Sequence, residues 1–352
     1  MDDDLGSITD ILGSRADWAG GAGYALVLGA IDWRRCGINR PVPASLLRAL
    51  AESRLGARGR AKLADQRTYE AAVAWATNTI SGGSPLLQPA DPGAFTVNDF
   101  VLQLILMRGV AIPEDSWQVA IENASAAELL RIGVMAKEGY GKPEIAARAF
   151  RKAADRGDSD EVMEATGYLA WLLQEQGDFA GVKAAWQRLI DSGHPAAGGV
   201  WVLLGELFSD QGDVPGAKAA YQEAINSGDP DDAVQAITRL GDLLWEQGDV
   251  PGAKAAYQQA INSGRRTAAS ACVSLGDLLQ EQGDIPGAKA AYQASIDSGH
   301  DLRAPEAAVR LGELLMAQGD VPGAKAAFQQ AIDSGHAAAA ADARAFLGDL
   351  PT

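Results

Sequence analysis

From about residue 124 the apolar positions recur at helical spacing in blocks of nearly constant length. Between Ala236 and Gly264, Ala236, Leu240, Gly241 and Leu244 fall on one helical stripe; Ala253, Tyr257, Ala260 and Ile261 form a second after a break at Gly248. The break has its own chemistry. Gly248 can take the left-handed conformation that ends a helix, Asp249 can cap the next one, and Pro251 falls in its first turn, where a missing N–H is harmless. Each block therefore predicts two helices and a turn.

The triplet Gln-Gly-Asp sets the register. It begins at Gln176, Gln211, Gln247, Gln282 and Gln318, at intervals of 35, 36, 35 and 36 residues, a period typical of stacked helix pairs. Second helices are expected near 180–192, 214–227, 250–263, 285–298 and 321–334. A degenerate copy with a longer turn (Glu138 to Pro143) precedes them at Leu130 to Gly157. A last first-helix, Ala337 to Leu347, follows and predicts a cap. One aromatic returns in every second helix, at Phe150, Trp186, Tyr221, Tyr257, Tyr292 and Phe328. So regular a placement reads as core packing between helices kept close by Gly241 and Ala253.

These residues resemble the tetratricopeptide repeat family, in which Leu-Gly sits in the first helix and Ala-x-x-x-aromatic, then Ala, in the second; Leu240-Gly241, Ala253, Tyr257 and Ala260 match it. Ser263-Gly264, Ser298-Gly299 and the Ala-x-x-x-Leu-Gly entries ending at Gly276 and Gly312 look like the Sel1-like branch, although its extra glycine loop is absent. The resemblance implies an all-α fold, a right-handed α-solenoid, acting as a non-catalytic scaffold or adaptor for protein–protein interaction.

Residues 1–122 read differently. Residues 1–16 are polar and are expected to fray. An apolar helix runs from Trp18 through Tyr24, Leu26 and Ile31 to Arg34 and Arg35, whose charges complement the helix dipole before the stop at Gly37. Further helices are expected at Ala44 to Leu55, Gln66 to Ile80, Val97 to Met107 and Pro113 to Asn123, with a long Gly/Pro/Ser loop at 81–93. Asp32-Trp33-Arg34-Arg35-Cys36-Gly37, Arg40-Pro41-Val42-Pro43, Trp75-Ala76 and Trp117 resemble, in that order, a segment of actinobacterial tetratricopeptide and Sel1-like proteins. In many of those relatives it follows a nucleotide-binding or protease domain, for which the short stretch after Met1 leaves no expected room. The expected division is a front helical module, 1–122, and a repeat array, 123–352, of about six helix pairs plus the capping helix. No Gly/Ser/Pro linker separates Trp117 from Ala124, so the two are expected to share a core.

The chain's 352 residues carry 47% hydrophobic residues and a formal charge of −16. Residues 1–120 hold 11 Lys+Arg against 13 Asp+Glu, so nearly all of the deficit falls on the repeats, which would repel nucleic acid and anionic membranes. An acidic N-terminus and apolar runs far shorter than a ~20-residue span predict neither export nor membrane insertion and suggest a cytoplasmic protein. Cys36 and Cys272 match no metal-ligand spacing and are expected reduced and buried.

Catalytic and cofactor chemistry is not recognisable, and neither catalytic, cofactor nor metal residues are expected. Gly-Asp-Val-Pro-Gly-Ala-Lys is no phosphate loop: it has three residues between its glycines, Ala where a magnesium-binding hydroxyl belongs, and a repeat period. It predicts no ATP or GTP hydrolysis. His194, His300 and His336 each follow Ser-Gly at a second-helix end, where a cation-compatible side chain suits the dipole, and a repeat's spacing keeps them from forming a metal cluster. Arg54, Arg58, Arg60, Lys62 and Arg67 form a basic run without interleaved aromatics, expected to be solvated surface. Trp18, Trp33, Trp75 and Trp117, near Asp32 and Asp99, are expected core; the alternative is that they line a small-molecule or enzymatic site regulated by the repeats.

The candidate partner surface is the wall lined by first helices. Glu206, Asp242, Asp277 and Glu313 each occupy the position just after the repeat glycine, and Asp210, Glu246 and Glu281 lie one helical turn further on. With packed helices ~10 Å apart, about a Debye length, their fields add. The expected partner is a protein or peptide, with a Lys/Arg-rich segment as the sharper form; a clamp for a C-terminal carboxylate is not expected. Self-association through the alanine-rich face of Ala337–Phe346 is a further expectation.

Overall fold

A computed structural model describes residues 18–78, 85–90, 93–107 and 109–348. The expected fraying of 1–16 lies outside the described residues, as do residues 81–84 and 91–92 of the 81–93 loop and the side chain of Trp18. The chain divides into two compact units, 1–185 and 186–352. The fold is all-α, with the repeats forming helix pairs.

In the first unit, α1 (Trp18–Arg35) packs against α2 (Ala44–Glu52) and α4 (Gln66–Thr77), with the short α3 (Ala57–Leu63) between the latter two. The glycines of α1 let these helices close on it: a Cβ at Gly23 would overlap the Trp75 ring, and one at Gly29 would press on the backbone of Leu50. The helix ends on its two arginines, and Gly37 then takes φ +101°.

A small antiparallel sheet was not foreseen. Its strands β1 (Val42–Pro43), β2 (Leu87–Pro89) and β3 (Ala94–Val97) run in the order β1-β3-β2, with Val42 opposite Phe95 and Leu87 opposite Val97. It forms where a loop (81–93) and a helix start (Val97) were expected; strands of two to four residues are too short to show alternation. After it come α5 (Asp99–Met107) and α6 (Glu114–Asn123).

The degenerate repeat packs directly on this front module. It comprises α7 (Ala126–Val134), a π-turn at Met135–Gly139, and α8 (Pro143–Arg156), followed by α9 (Ser159–Glu175). Ser125 and Glu128 form a reciprocal capping box at the start of α7. Arg40 donates to Glu128 at 3.0 Å and to the Asn123 carbonyl at 2.9 Å, and Trp117 meets Tyr140 edge-on at 5.5 Å. The front helices and the first pair thus share one core inside this unit.

The unit boundary falls within α10 (Phe179–Asp191). The second unit contains α11 (Ala197–Asp210), α12 (Val214–Asn226), α13 (Pro230–Glu246), α14 (Val250–Asn262), α15 (Ala269–Glu281), α16 (Ile285–Asp297), α17 (Arg303–Ala317), α18 (Val321–Asp333) and α19 (Ala337–Gly348). Each odd-numbered helix packs on its even-numbered partner and on the next odd-numbered helix, the pattern of stacked pairs.

The turn chemistry agrees with the sequence. Gly212, Gly248, Gly283 and Gly319 have φ between +72° and +77°, and Asp213, Asp249, Asp284 and Asp320 accept the N–H of Gly216, Gly252, Gly287 and Gly323 at 3.0 Å. The aromatic position is core: Tyr257, Tyr292 and Phe328 are fully buried. Each ring packs against the glycine of its own pair, so a Cβ at Gly241, Gly276 or Gly312 would collide with it. In α19, Ala339, Ala340 and Ala343 are buried and Phe346 stacks on Phe328 at 5.3 Å, leaving Ala337, Ala338, Ala341, Asp342, Arg344 and Ala345 outward.

Candidate partner-binding surface

The first helices of the second unit bring Glu206, Asp242, Asp277 and Glu313 onto one face, each half-buried, with Asp210, Glu246 and Glu281 exposed one turn on. The ladder is more structured than its sequence suggests. Tyr257 donates its hydroxyl to Asp242 Oδ1 at 2.7 Å, and Tyr292 donates to Asp277 Oδ1 at 2.6 Å and to Gln280 at 3.1 Å. The ring that packs on the repeat glycine therefore also fixes the carboxylate after it. Burial and the adjacent carboxylates push both phenols far above their ordinary range, so they remain donors at any physiological pH.

Two arginines span neighbouring rungs. Arg239, on α13, reaches Glu206 of α11 at 2.7 Å and its own helix's Asp242 at 3.4 Å. Arg310, on α17, lies 4.0 Å from Asp277 of α15 and 3.6 Å from Glu313. Burial opposes the charge on Arg239, but Glu206 and Asp242 outweigh it and raise its pKa. Asp277 is shifted upward, chiefly by desolvation, with Tyr292 and Arg310 pulling the other way. Four carboxylates thus share two guanidinium groups, so the summed negative field expected along this wall is partly neutralised and its carboxylates are fixed in place. The signal was in the repeat register: three residues before each rung stand Leu203, Arg239, Ser274 and Arg310.

In the first unit the same register position, five residues before Gln176, holds Trp171. Its ring is 44% exposed, with Lys137 Nζ 3.0 Å from the centroid and 2.5 Å from Glu175. Here a cation already rests on the position that further along the chain is acidic.

The remaining candidates resolve into structural roles. The Gly-Asp-Val-Pro-Gly segment is an interhelical turn whose Gly252 N–H is consumed by Asp249. His194, His300 and His336 reach forward along the chain. Each accepts, through Nδ1, a backbone N–H at the start of the helix after it, Ala196 at 3.1 Å, Leu302 at 3.3 Å and Ala339 at 3.3 Å, because helix N-termini offer unpaired donors. Among the described residues no group of three or more His, Cys, Asp or Glu is placed to hold a metal ion. Cys36 and Cys272 are free and buried, with burial pushing the Cys272 thiol up to about 11 and the Cys36 thiol well above its ordinary value.

Within the basic run, Arg58, Arg60, Lys62 and Arg67 are exposed, but Arg54 turns inward, which corrects its expected solvation. It grips the fully buried Asp32 with both carboxylate oxygens, Nε to Oδ2 at 2.8 Å and Nη2 to Oδ1 at 2.5 Å, and Ser116 donates to Oδ2 at 3.0 Å. Trp33 and Trp117 are fully buried, Trp75 is half-buried against α1, and Asp99 is exposed. Trp33, Trp75 and Trp117 are packing, and Asp32 is the anchor of an internal ion pair.

Models of the tetratricopeptide repeat match residues 169–233 and 273–343, and a second such model matches 235–263. The chain carries tetratricopeptide repeats. No significant match is found among curated proteins. Among solved structures, BtubC (BKLC) from P. vanneervenii is 18% identical with a TM-score of 0.43, covering 66% of this chain and 94% of that one. Pseudomonas aeruginosa pilF is 17% identical at 0.41, covering 64% and 97%, and MamA 21% identical at 0.37, covering 49% and 96%. Likeness at that level says nothing about the surface of these repeats. Among the described residues no helix is long and apolar enough to cross a membrane.

Proposed function

We propose that this protein is a non-catalytic scaffold whose repeats, over 123–352 behind a helical front module at 1–122, bind a protein segment carrying basic side chains. The supporting observation is the ladder Glu206–Asp242–Asp277–Glu313, held by Tyr257, Tyr292, Arg239 and Arg310 yet left with twice as many carboxylates as arginines. Carboxylates fixed in advance lose little entropy on meeting a cation, and a face of one net sign accelerates encounter with an oppositely charged partner. Asp210, Glu246 and Glu281 extend the field outward. Such a surface disfavours nucleic acid and anionic lipid for the same reason.

The reading is tested by affinity capture from the native host with the wild-type chain and an Asp242→Asn, Asp277→Asn double variant as baits, partners being identified by mass spectrometry. The expected result is a protein recovered by the wild type at low salt and lost both at high salt and with the double variant. Recovery of the same proteins by both baits at every salt concentration would contradict it.

A further inference from the structure

The arginines of the ladder occur in alternate repeats. The residue three positions before each rung is Arg239 in α13 and Arg310 in α17, and each guanidinium lies between the carboxylate of the preceding first helix and that of its own. In α15, between them, the position is Ser274. Serine is too short to reach back to Asp242. Above it opens a cavity of about 350 Å³, walled by Asp242 and Thr238 of α13, Ser270, Ser274 and Asp277 of α15, and residues of α17. That is the small end of the ligand-sized range, which starts at roughly 300 Å³: room for a side chain, not for a helix.

Most charges around this space already have partners: of the two rungs that line it, Asp242 meets Arg239 at 3.4 Å, and Asp277 has the weaker counter-charge. Arg239, on the rim, is committed to Glu206 and Asp242, and Arg303 is held by Glu306 at 2.7 Å. His300 spends Nδ1 on the backbone of Leu302 and Arg303. Asp277 Oδ1 takes the Tyr292 hydroxyl, and its carboxylate has only the distant Arg310 for a counter-charge. Hence the break in the alternation falls between two rungs that each share their one arginine with an outer neighbour.

We infer that the cavity above Ser274 receives the guanidinium of an arginine side chain from a bound protein segment, placed between Asp242 and Asp277 as Arg239 and Arg310 are placed between their own pairs. This rests on the reading that the face binds a basic segment and adds which side chain it selects and where. Arginine is preferred over lysine because its planar fork can serve two carboxylates at once, whereas an ammonium is a compact, strongly hydrated point charge. The hydroxyls of Ser270, Ser274 and Thr238 line the cavity and add acceptors. The chain's own two solutions at this register are both arginine.

Two measurements on the full chain test the inference. The first is binding of a fluorescent pentapeptide with one central arginine between glycines, against its citrulline and lysine counterparts. Wild type should bind the arginine peptide saturably, the lysine peptide several-fold more weakly, and the citrulline peptide about tenfold more weakly or worse. No saturable arginine binding, or equal binding of citrulline, would overturn the proposal. The second is Ser274→Arg, which supplies the missing guanidinium from within. It should keep or raise the unfolding temperature, with the gain shrinking as salt rises, and should weaken the arginine peptide at least tenfold; Ser274→Met, of similar length without charge, should show no salt-dependent gain. Unaltered peptide affinity in a folded Ser274→Arg overturns the cavity. The wider reading is scored separately on an arginine-rich peptide: if the Asp242→Asn, Asp277→Asn variant still loses that probe while Ser274→Arg does not, the surface stands without the cavity, and if neither variant loses it, both fail.

Discussion

Asp32 and Asp277 are both carboxylates drawn out of water, and they have opposite surroundings. Asp32, in the first unit, is fully buried with both oxygens engaged by Arg54, a third bond from Ser116 and Arg35 at 3.8 Å. Asp277, in the second, is half-buried on an open face, held by one tyrosine and approached by one arginine at 4.0 Å. A buried charge supplied with every partner it can use has no capacity left for a ligand, whereas one fixed in place but under-compensated keeps some. Burial raises the pKa of both, so depth alone does not separate structure from recognition; the partner inventory does.

The largest expected effect breaks the comparison on the structural side. Asp32→Ala leaves Arg54, whose side chain is 12% exposed, as an unpaired charge in the interior. The expected loss is about 3–5 kcal/mol by chemical denaturation, while Asp277→Asn, on the open face, should change stability by less than about 1 kcal/mol. Equal losses would erase the distinction between the two sites.

Gly276→Ala is next. Its Cβ would collide with the ring of Tyr292, and overpacking of this kind costs about 1–3 kcal/mol. It should also displace the hydroxyl that holds Asp277, so binding of a basic peptide should weaken together with stability. A neutral effect on both would mean that the glycine and the ring do not set the position of the rung.

Tyr292→Phe is the smallest change, since it keeps the packing and removes only the hydroxyl. A loss of about 1–2 kcal/mol in stability is expected from the bond to Asp277. Freed of that bond, Asp277 should bind a cation with a larger entropy penalty, measurable by titration calorimetry. An unchanged binding entropy would show that the tyrosine packs without organising the site.

Much of this architecture was legible in the residues. The helix pairs, Gly248 with φ +76°, the Asp249 cap and the burial of Tyr257 all follow from local chemistry repeated at a fixed interval, and repetition averages out the ambiguity of any one copy. The identity of the rungs was legible for the same reason. Their partners were not: the Tyr257 hydroxyl and Arg239 meet Asp242 across helices, and only a register comparison of Leu203, Arg239, Ser274 and Arg310 would have raised the question. The front unit lacks repetition, so Arg54 reads as one more cation in a basic run until Asp32 is seen beneath it, and the strands at 42–43, 87–89 and 94–97 are too short to announce themselves. The structural role of the histidines was legible, but not their acceptance of backbone donors from the helix starts that follow them, because Ser-Gly marks only the end of the helix before.

The central claim is that the first-helix face of the second unit recognises basic protein segments through carboxylates it does not fully neutralise. Its most direct test is the salt dependence of affinity for a labelled peptide in which arginine alternates with glycine, measured for the wild type and for Asp242→Asn, Asp277→Asn. The account predicts wild-type affinity that falls steadily as salt rises, a loss of about tenfold or more in the double variant at low salt, and a flattened slope. Identical affinities and slopes for the two proteins would contradict it.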